Sequence, residues 1–337
     1  MLLLNSLGFF KNVSNYFEKN QENSFPVIIK NEKIIKQGVS NNGLVVLTSN
    51  NVLFYSNNGT RQNKIVHGYT NPVIDICNKR VLTYDMGGNS LRIDSANKEI
   101  SSNQMQEQIL CAKINQMGNV ACITSNEQYM SIITVYDSKM NEIYKYYSTD
   151  RIFNIEFNEN NIIATAVTTR NGFPAATIID LDINKETENK KIAVNDILPL
   201  EIYKNNNCYI LKGVFSTAYV TSNETKFINH NGILKNYILG ENSLIVTKSE
   251  INNSYIVTLQ NLTESKELIL NEIVKDIAID NNKIVLLCEK NIYLLDNNLS
   301  VINVTQLEQE YESIELDGDV LYKIGLDIIE KSKLVWG

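Results

Sequence analysis

The chain has 337 residues and carries 31 Lys and Arg against 38 Asp and Glu, a formal net charge of −7. That balance, with lysines scattered rather than in runs, excludes a groove built to neutralise nucleic-acid phosphates. The hydrophobic fraction of 43% is ample for a large core, and 48 asparagines with only four prolines point to many turns, since Asn tolerates left-handed geometry. The Asn-X-Ser/Thr triplets follow from that abundance and are not evidence of glycosylation.

Residues 1–10, MLLLNSLGFF, are apolar but far shorter than the ~20 needed to span a bilayer, and they lack the basic start and cleavage site of a signal peptide. Leu3, Leu7, Phe10, Val13 and Phe17 recur at helical spacing, which predicts a short amphipathic helix over 1–19. Residues 1–25 therefore read as a helix and linker, either packed on the body of the protein or the stub of a membrane anchor. Residues 26–337 read as one domain.

From residue 27 the pattern is β throughout: short runs rich in Val, Ile, Leu and Tyr, bounded by Asn, Gly and Asp. The first unit is KIIKQGV (33–39), GLVVLTS (43–49), NVLFYS (51–56) and NKIVHG (63–68). The second has PVIDIC, RVLTYD and SLRID; the third QILCAKI, NVACIT, SIITVYD and IYKYY; the fourth FNIEF, IIATAV, ATIIDLDI and KKIAV. The fifth has LEIY, CYILKG and TAYVTS; the sixth LKNYIL, LIVTKS and YIVTLQN; the seventh VKDIAI, KIVLLC, NIYLLD and SVINV; the eighth YESIEL, DVLYKI and LDIIEK. Residues 41–60, NNGLVVLTSNNVLFYSNNGT, return 240 positions later as NNKIVLLCEKNIYLLDNNLS, six units of about 40 residues on. Four short strands at that period are the signature of an all-β β-propeller, here with eight blades and seven as the alternative. A stacked β-solenoid has shorter rungs, and paired sandwiches would not hold one period. Each second strand is apolar nearly throughout, as a sheet covered on both faces requires. PVIIK (26–30) precedes the first full unit and is expected to supply the outer strand of the last blade, closing the ring.

Within residues 52–94, the succession Tyr-x-x-x-Gly, His-x-Tyr-x-Asn-Pro, Arg-x-Leu-x-Tyr-Asp and Gly-Gly resembles an uncharacterised family of bacterial propellers, a domain of unknown function in the quinoprotein-like and YVTN-like group. The resemblance runs from about Phe25 to Ile329. It implies a cytoplasmic tail and one transmembrane helix ahead of the propeller, hence display at the outer face of the cell membrane. This chain opens where such a helix would be ending. Without that anchor, the expected location is the cytoplasm. The family has no established catalytic residues to carry over.

The chemistry-bearing residues are few. His67 follows an apolar strand and His230 occupies an Asn-His-Asn-Gly turn; a catalytic triad finds no GxSxG support. The Asp180-Leu181-Asp182-Ile183-Asn184 run imitates a calcium loop but has Lys185 and Lys191 where Gly and Glu are needed. Phosphate-binding glycine loops are absent, and five dispersed cysteines read as buried thiols, so no metal or cofactor is expected. The 17 tyrosines are expected mainly in the core with their hydroxyls reaching outward. The inner strands bring Asp75, Lys113, Glu156 and Asp276 toward the channel without a histidine beside them.

These readings favour a monomeric, non-enzymatic module that binds a protein, peptide or glycan at the cell envelope through loops at one end. A hydrolase or lyase with a site in the channel is the alternative. The candidate surface is the loop from blade one to blade two with the strand that follows: His67, Tyr69, Asn71, Arg80, Tyr84 and Asp85. An Arg80–Asp85 ion pair that merely locks the loop is the competing explanation.

Overall fold

Leu44, Val45, Val46 and Leu47 are completely buried. Successive side chains of a strand point to opposite faces, so this strand must be covered on both sides. The computed structural model, which describes residues 24–335 apart from 42, 186, 206, 207, 281 and 282, shows how. Leu44 and Val46 pack with Val27 and Ile29, near the start of the described chain, and with Tyr322 and Ile329 of its last two strands. Val45 and Leu47 pack the other way, on Ile74 and Val81 of the next sheet. Its copy 240 residues on repeats the arrangement: Ile284 and Leu286 face Val257 and Leu259, while Val285 and Leu287 face Ile314 and Leu321. Each such side chain contributes roughly 1.5–3 kcal/mol, so no sheet is stable without both neighbours.

Eight four-stranded antiparallel sheets repeat this scheme around a ring. We call the strands of each blade A to D from the axis outward. In blade one they are Ile34–Ser40, Gly43–Thr48, Asn51–Tyr55 and Arg61–Val66. Blades two to seven begin with A strands Pro72–Cys77, Cys111–Ile114, Arg151–Asn158, Pro199–Asn205, Ile233–Ile238 and Val274–Asp280. Blade eight comprises Ser313–Asp317, Val320–Ile324 and Ile328–Lys333, and its D strand is Val27–Ile28, paired as Val27↔Ile329 and Ile28↔Ile328. The ring closes as PVIIK implied, and the blade count is eight. Blades two, five and six carry D strands that the sequence pattern did not mark: Glu99–Gln104, Thr225–Asn229 and Ser265–Leu270. They are mixed and mostly exposed, so their alternation is faint.

Among the described residues there is no helix, and hence none long and apolar enough to cross a membrane. The helix expected over 1–19 lies outside the described residues. Cys122 and Cys288 are buried, as expected; Cys77, Cys111 and Cys208 are only partly so.

Candidate functional site

An up-and-down blade puts its A–B and C–D turns at one end of the ring and its B–C turn and D–A connection at the other. The six residues singled out in the sequence divide between these ends. His67, Tyr69 and Asn71 lie in the D–A connection from blade one to blade two, and Asp85 ends the B strand of blade two, Arg80–Asp85. Arg80 starts the same B strand at the opposite end, about 17 Å away at ~3.3 Å per residue, so the expected Arg80–Asp85 ion pair does not form. Arg80 instead donates from Nη1 to the Gln116 carbonyl, 3.2 Å away, and its guanidinium packs over Gly118. Tyr84 is 4% exposed and belongs to the core between blades two and three, with Leu82, Leu91 and Ala112. Burial pushes its hydroxyl far above the usual phenol range. These six therefore do not line one surface.

The four that share an end are largely engaged in holding it. His67, itself buried, donates from Nε2 to the Thr48 carbonyl at 3.1 Å. A carbonyl only accepts, so Nδ1 is left free to accept from the Tyr69 N–H at 3.4 Å. The two rings stack at 5.4 Å. Asp85 accepts from the Asn71 N–H at 2.8 Å, and the Asn71 amide reaches the Met86 carbonyl at 3.3 Å. Tyr69 and Asn71 retain accessible side-chain surface.

Around the axis, carboxylates cap the unpaired edge of the A strands. Asp75 accepts from the Ile114 N–H at 2.8 Å, Asp276 from Ile314 at 2.9 Å and Asp280 from Gly318 at 2.7 Å, each reaching into the following blade. An inner strand has one free row of N–H groups, and these bonds satisfy part of it. Burial, aided by Asp276, raises the Glu315 carboxyl to about 7. Lys113 bridges blades two and four, 3.8 Å from Asp75 and 2.5 Å from Glu156. Burial pushes the Lys113 amine down, but the two carboxylates outweigh it and hold it above its ordinary range.

Sequence reasoning missed the centre between blades five and six. Lys212, in the B strand Cys208–Gly213, is fully buried. Its Nζ lies 2.9 Å from His230 Nε2 and 5.5 Å above the Tyr237 ring, and Thr217 Oγ1 is 3.0 Å from the same Nε2. No carboxylate pairs with it among the described residues, and burial pulls its amine down to about 7. His230, half-buried and beside Lys212, falls to about 4. The signal was present, though shared with DVLYKI and LIVTKS: CYILKG places a lysine in a strand type that is mostly apolar.

The two ends differ in what they expose. At the B–C/D–A end, Phe173, Phe215, Ile251 and Leu326 of blades four, five, six and eight are 62, 75, 96 and 79% exposed, with Leu198, Ile233 and Ile273 between them. At the other end the turns are dominated by Asn, and among the described residues the large apolar side chains exposed outside the strands there are Met117 and, after the last strand, Val335. Ser24, where the described chain begins, lies at this polar end against Gly59.

A family model described as a family of unknown function (DUF5711) matches residues 15–323. The chain belongs to that family. No curated protein sequence matches the chain. Among solved structures it is similar to the computationally designed Ika8 protein at a TM-score of 0.68 and 10% identity, over 91% of this chain and 98% of that one. It is also similar to Sqt1 of Saccharomyces cerevisiae, at 0.67 and 10%, over 93% and 99%. BamB from Moraxella catarrhalis gives 0.59 and 9%, over 92% and 100%. At these identities the likeness concerns the fold alone. Among the described residues, no group of three His, Cys, Asp or Glu side chains is placed to hold a metal ion.

Proposed function

We propose that this propeller is a binding module without catalysis of its own, and that it docks a protein partner through its B–C/D–A end. One observation carries this: the exposed large apolar side chains in turns and at strand ends are concentrated at that end, from Met86 and Met130 of blades two and three through blades four to six and on blade eight. Single exposed hydrophobes are ordinary, but several on adjacent loop tips, two of them Phe, have the composition of an interface core. A peptide adding as a strand would need a free sheet edge, whereas the carboxylate caps occupy part of the inner one. Tyr69 and Asn71 would extend the surface on the side of blades one and two. The envelope location rests on the family resemblance. A membrane anchor ahead of Ser24 would enter at the polar end, leaving the apolar end turned toward the partner.

The test is co-purification from the native cells with the full chain, its Phe215→Ser, Ile251→Ser double variant and an Asn223→Ser control in a C–D turn. These exposed changes should alter stability by no more than about 0.5 kcal/mol. Support is a protein that the wild type and the control retain and the double variant loses by tenfold or more. Equal retention by all three would reject the surface.

A further inference from the structure

A cleft of about 520 Å³ opens at the polar end, where the A strands of blades two, three and four meet. That volume lies within the usual range for small-ligand sites. Its wall contains Asp75, Lys113 and Glu156, the A–B turn of blade three from Asn115 to Met117, and Phe157. The three charged side chains are each about a quarter exposed, so their free valences face the cleft.

A second, independent feature marks the cleft as more than a charge cluster. Asn115 is 93% buried, since only 7% of it is exposed, and its side-chain oxygen accepts from the Met117 and Asn119 N–H groups at 3.1 and 2.9 Å. Those bonds fix which way the amide points, and they leave Nδ2 as a buried donor with no acceptor. An unsatisfied buried donor costs about 1–3 kcal/mol; Nδ2 is closed off from solvent, so an occupant that brings an acceptor gains that energy by drawing the amide into the cleft. Arg80 braces the same turn through the Gln116 carbonyl.

We propose that this cleft binds a neutral, hydroxyl-rich ligand of the saccharide class. Charge and hydrogen bonding select it. Lys113 is already matched by two carboxylates and Glu159 adds a third to the lining, so the cleft carries two net negative charges and repels anions. A simple cation would meet the Lys113 ammonium, which already sits between Asp75 and Glu156. A hydroxyl both donates and accepts, so neighbouring hydroxyls can give hydrogens to Glu156 and take them from Lys113 and Asn115. The Phe157 and Met117 side chains supply an apolar wall for the C–H face of a sugar ring. An extended peptide would pair along an A-strand edge, and there the Ile114 N–H is already held by Asp75.

The site is at the opposite end from the proposed docking surface, so either proposal can fail alone. The experiment is saturation-transfer NMR on the full chain with glucose, galactose, N-acetylglucosamine and cellobiose, followed by titration of any sugar that responds. Asn115→Asp keeps the oxygen that holds the turn and replaces the free donor with an acceptor. It should weaken binding at least tenfold, and because the new carboxylate is buried it should also lower the unfolding midpoint, so affinity is measured on the folded protein. Glu156→Gln, which removes the charged acceptor, should also weaken binding, and it decides the matter if the first variant does not fold. No transfer to any of the four sugars at about 10 mM, a concentration that would reveal millimolar affinity, overturns the proposal. So does unchanged affinity in the folded variants, or transfer seen with a trilysine peptide and none of the sugars.

Discussion

Replacing Lys212 by Met should stabilise the protein, and by an amount that depends on pH. The side chain is fully buried, meets no carboxylate among the described residues and has its amine lowered from 10.5 to about 7. An unfolded lysine binds its proton up to about pH 10.4. Between pH 7 and 10.5 the unfolded chain thus holds more protons than the folded one, and stability must rise with pH across that window. Below about pH 7 both states are protonated and the dependence levels off. A drop of about 3.5 at 1.36 kcal/mol each gives a penalty approaching roughly 4–5 kcal/mol at pH 7 as an upper bound. Met keeps most of the apolar stem, and Thr217 still offers His230 Nε2 a hydroxyl. Urea unfolding of both proteins at pH 7, 8, 9 and 10, followed by circular dichroism, should show the variant ahead by about 2–4 kcal/mol at pH 7. That lead should shrink by up to ~1.4 kcal/mol per pH unit above it. A difference that stays constant across the series, or a variant less stable at every pH, would refute the reasoning.

Glu315→Gln should act in the opposite window. The folded carboxyl is raised to about 7 from 4.5, so the wild type loses stability as pH rises between those values, and the variant should be more stable above pH 7 by about 1–3 kcal/mol in the same unfolding assay. Val27→Asp would set a charge in the 4%-exposed position that closes the ring, and a loss of 3 kcal/mol or more in urea unfolding is expected. His67→Ala leaves the Thr48 carbonyl without its ring donor and should lower stability by about 1–3 kcal/mol. Partner binding by the folded fraction of His67→Ala, measured in a pull-down at a temperature where it remains native, should be unchanged.

What the sequence made legible was whatever burial on two faces imposes. LVVL, VACI and IVLL could be read as B strands because each must be apolar on both sides, and the 240-residue echo gave their period. PVIIK was legible as the closing strand because Val27 and Ile29 must be buried while Ile28 faces out. The D strand SKELIL was not, since an outer strand is covered on one side only and its composition is held less tightly. The site fared worse for a geometric reason. Arg80 and Asp85 look adjacent in sequence, yet they are the two termini of one strand, which lie at opposite ends of the ring. Tyr84 lies one residue before the turn and is already in the core. The Asn115 amide and the apolar loop tips acquire meaning only once eight blades bring them together, because no local pattern links Phe173, Phe215, Ile251 and Leu326.

The docking surface is tested most directly by photo-crosslinking in the native cells, with a photoreactive phenylalanine placed at Phe215, at Ile251 or, at the opposite end, at Asn223. The account predicts one discrete protein adduct from the first two positions, abolished by Phe173→Asp in the same chain, and none from Asn223. Adducts from Asn223 alone, or equally from both ends, would contradict it.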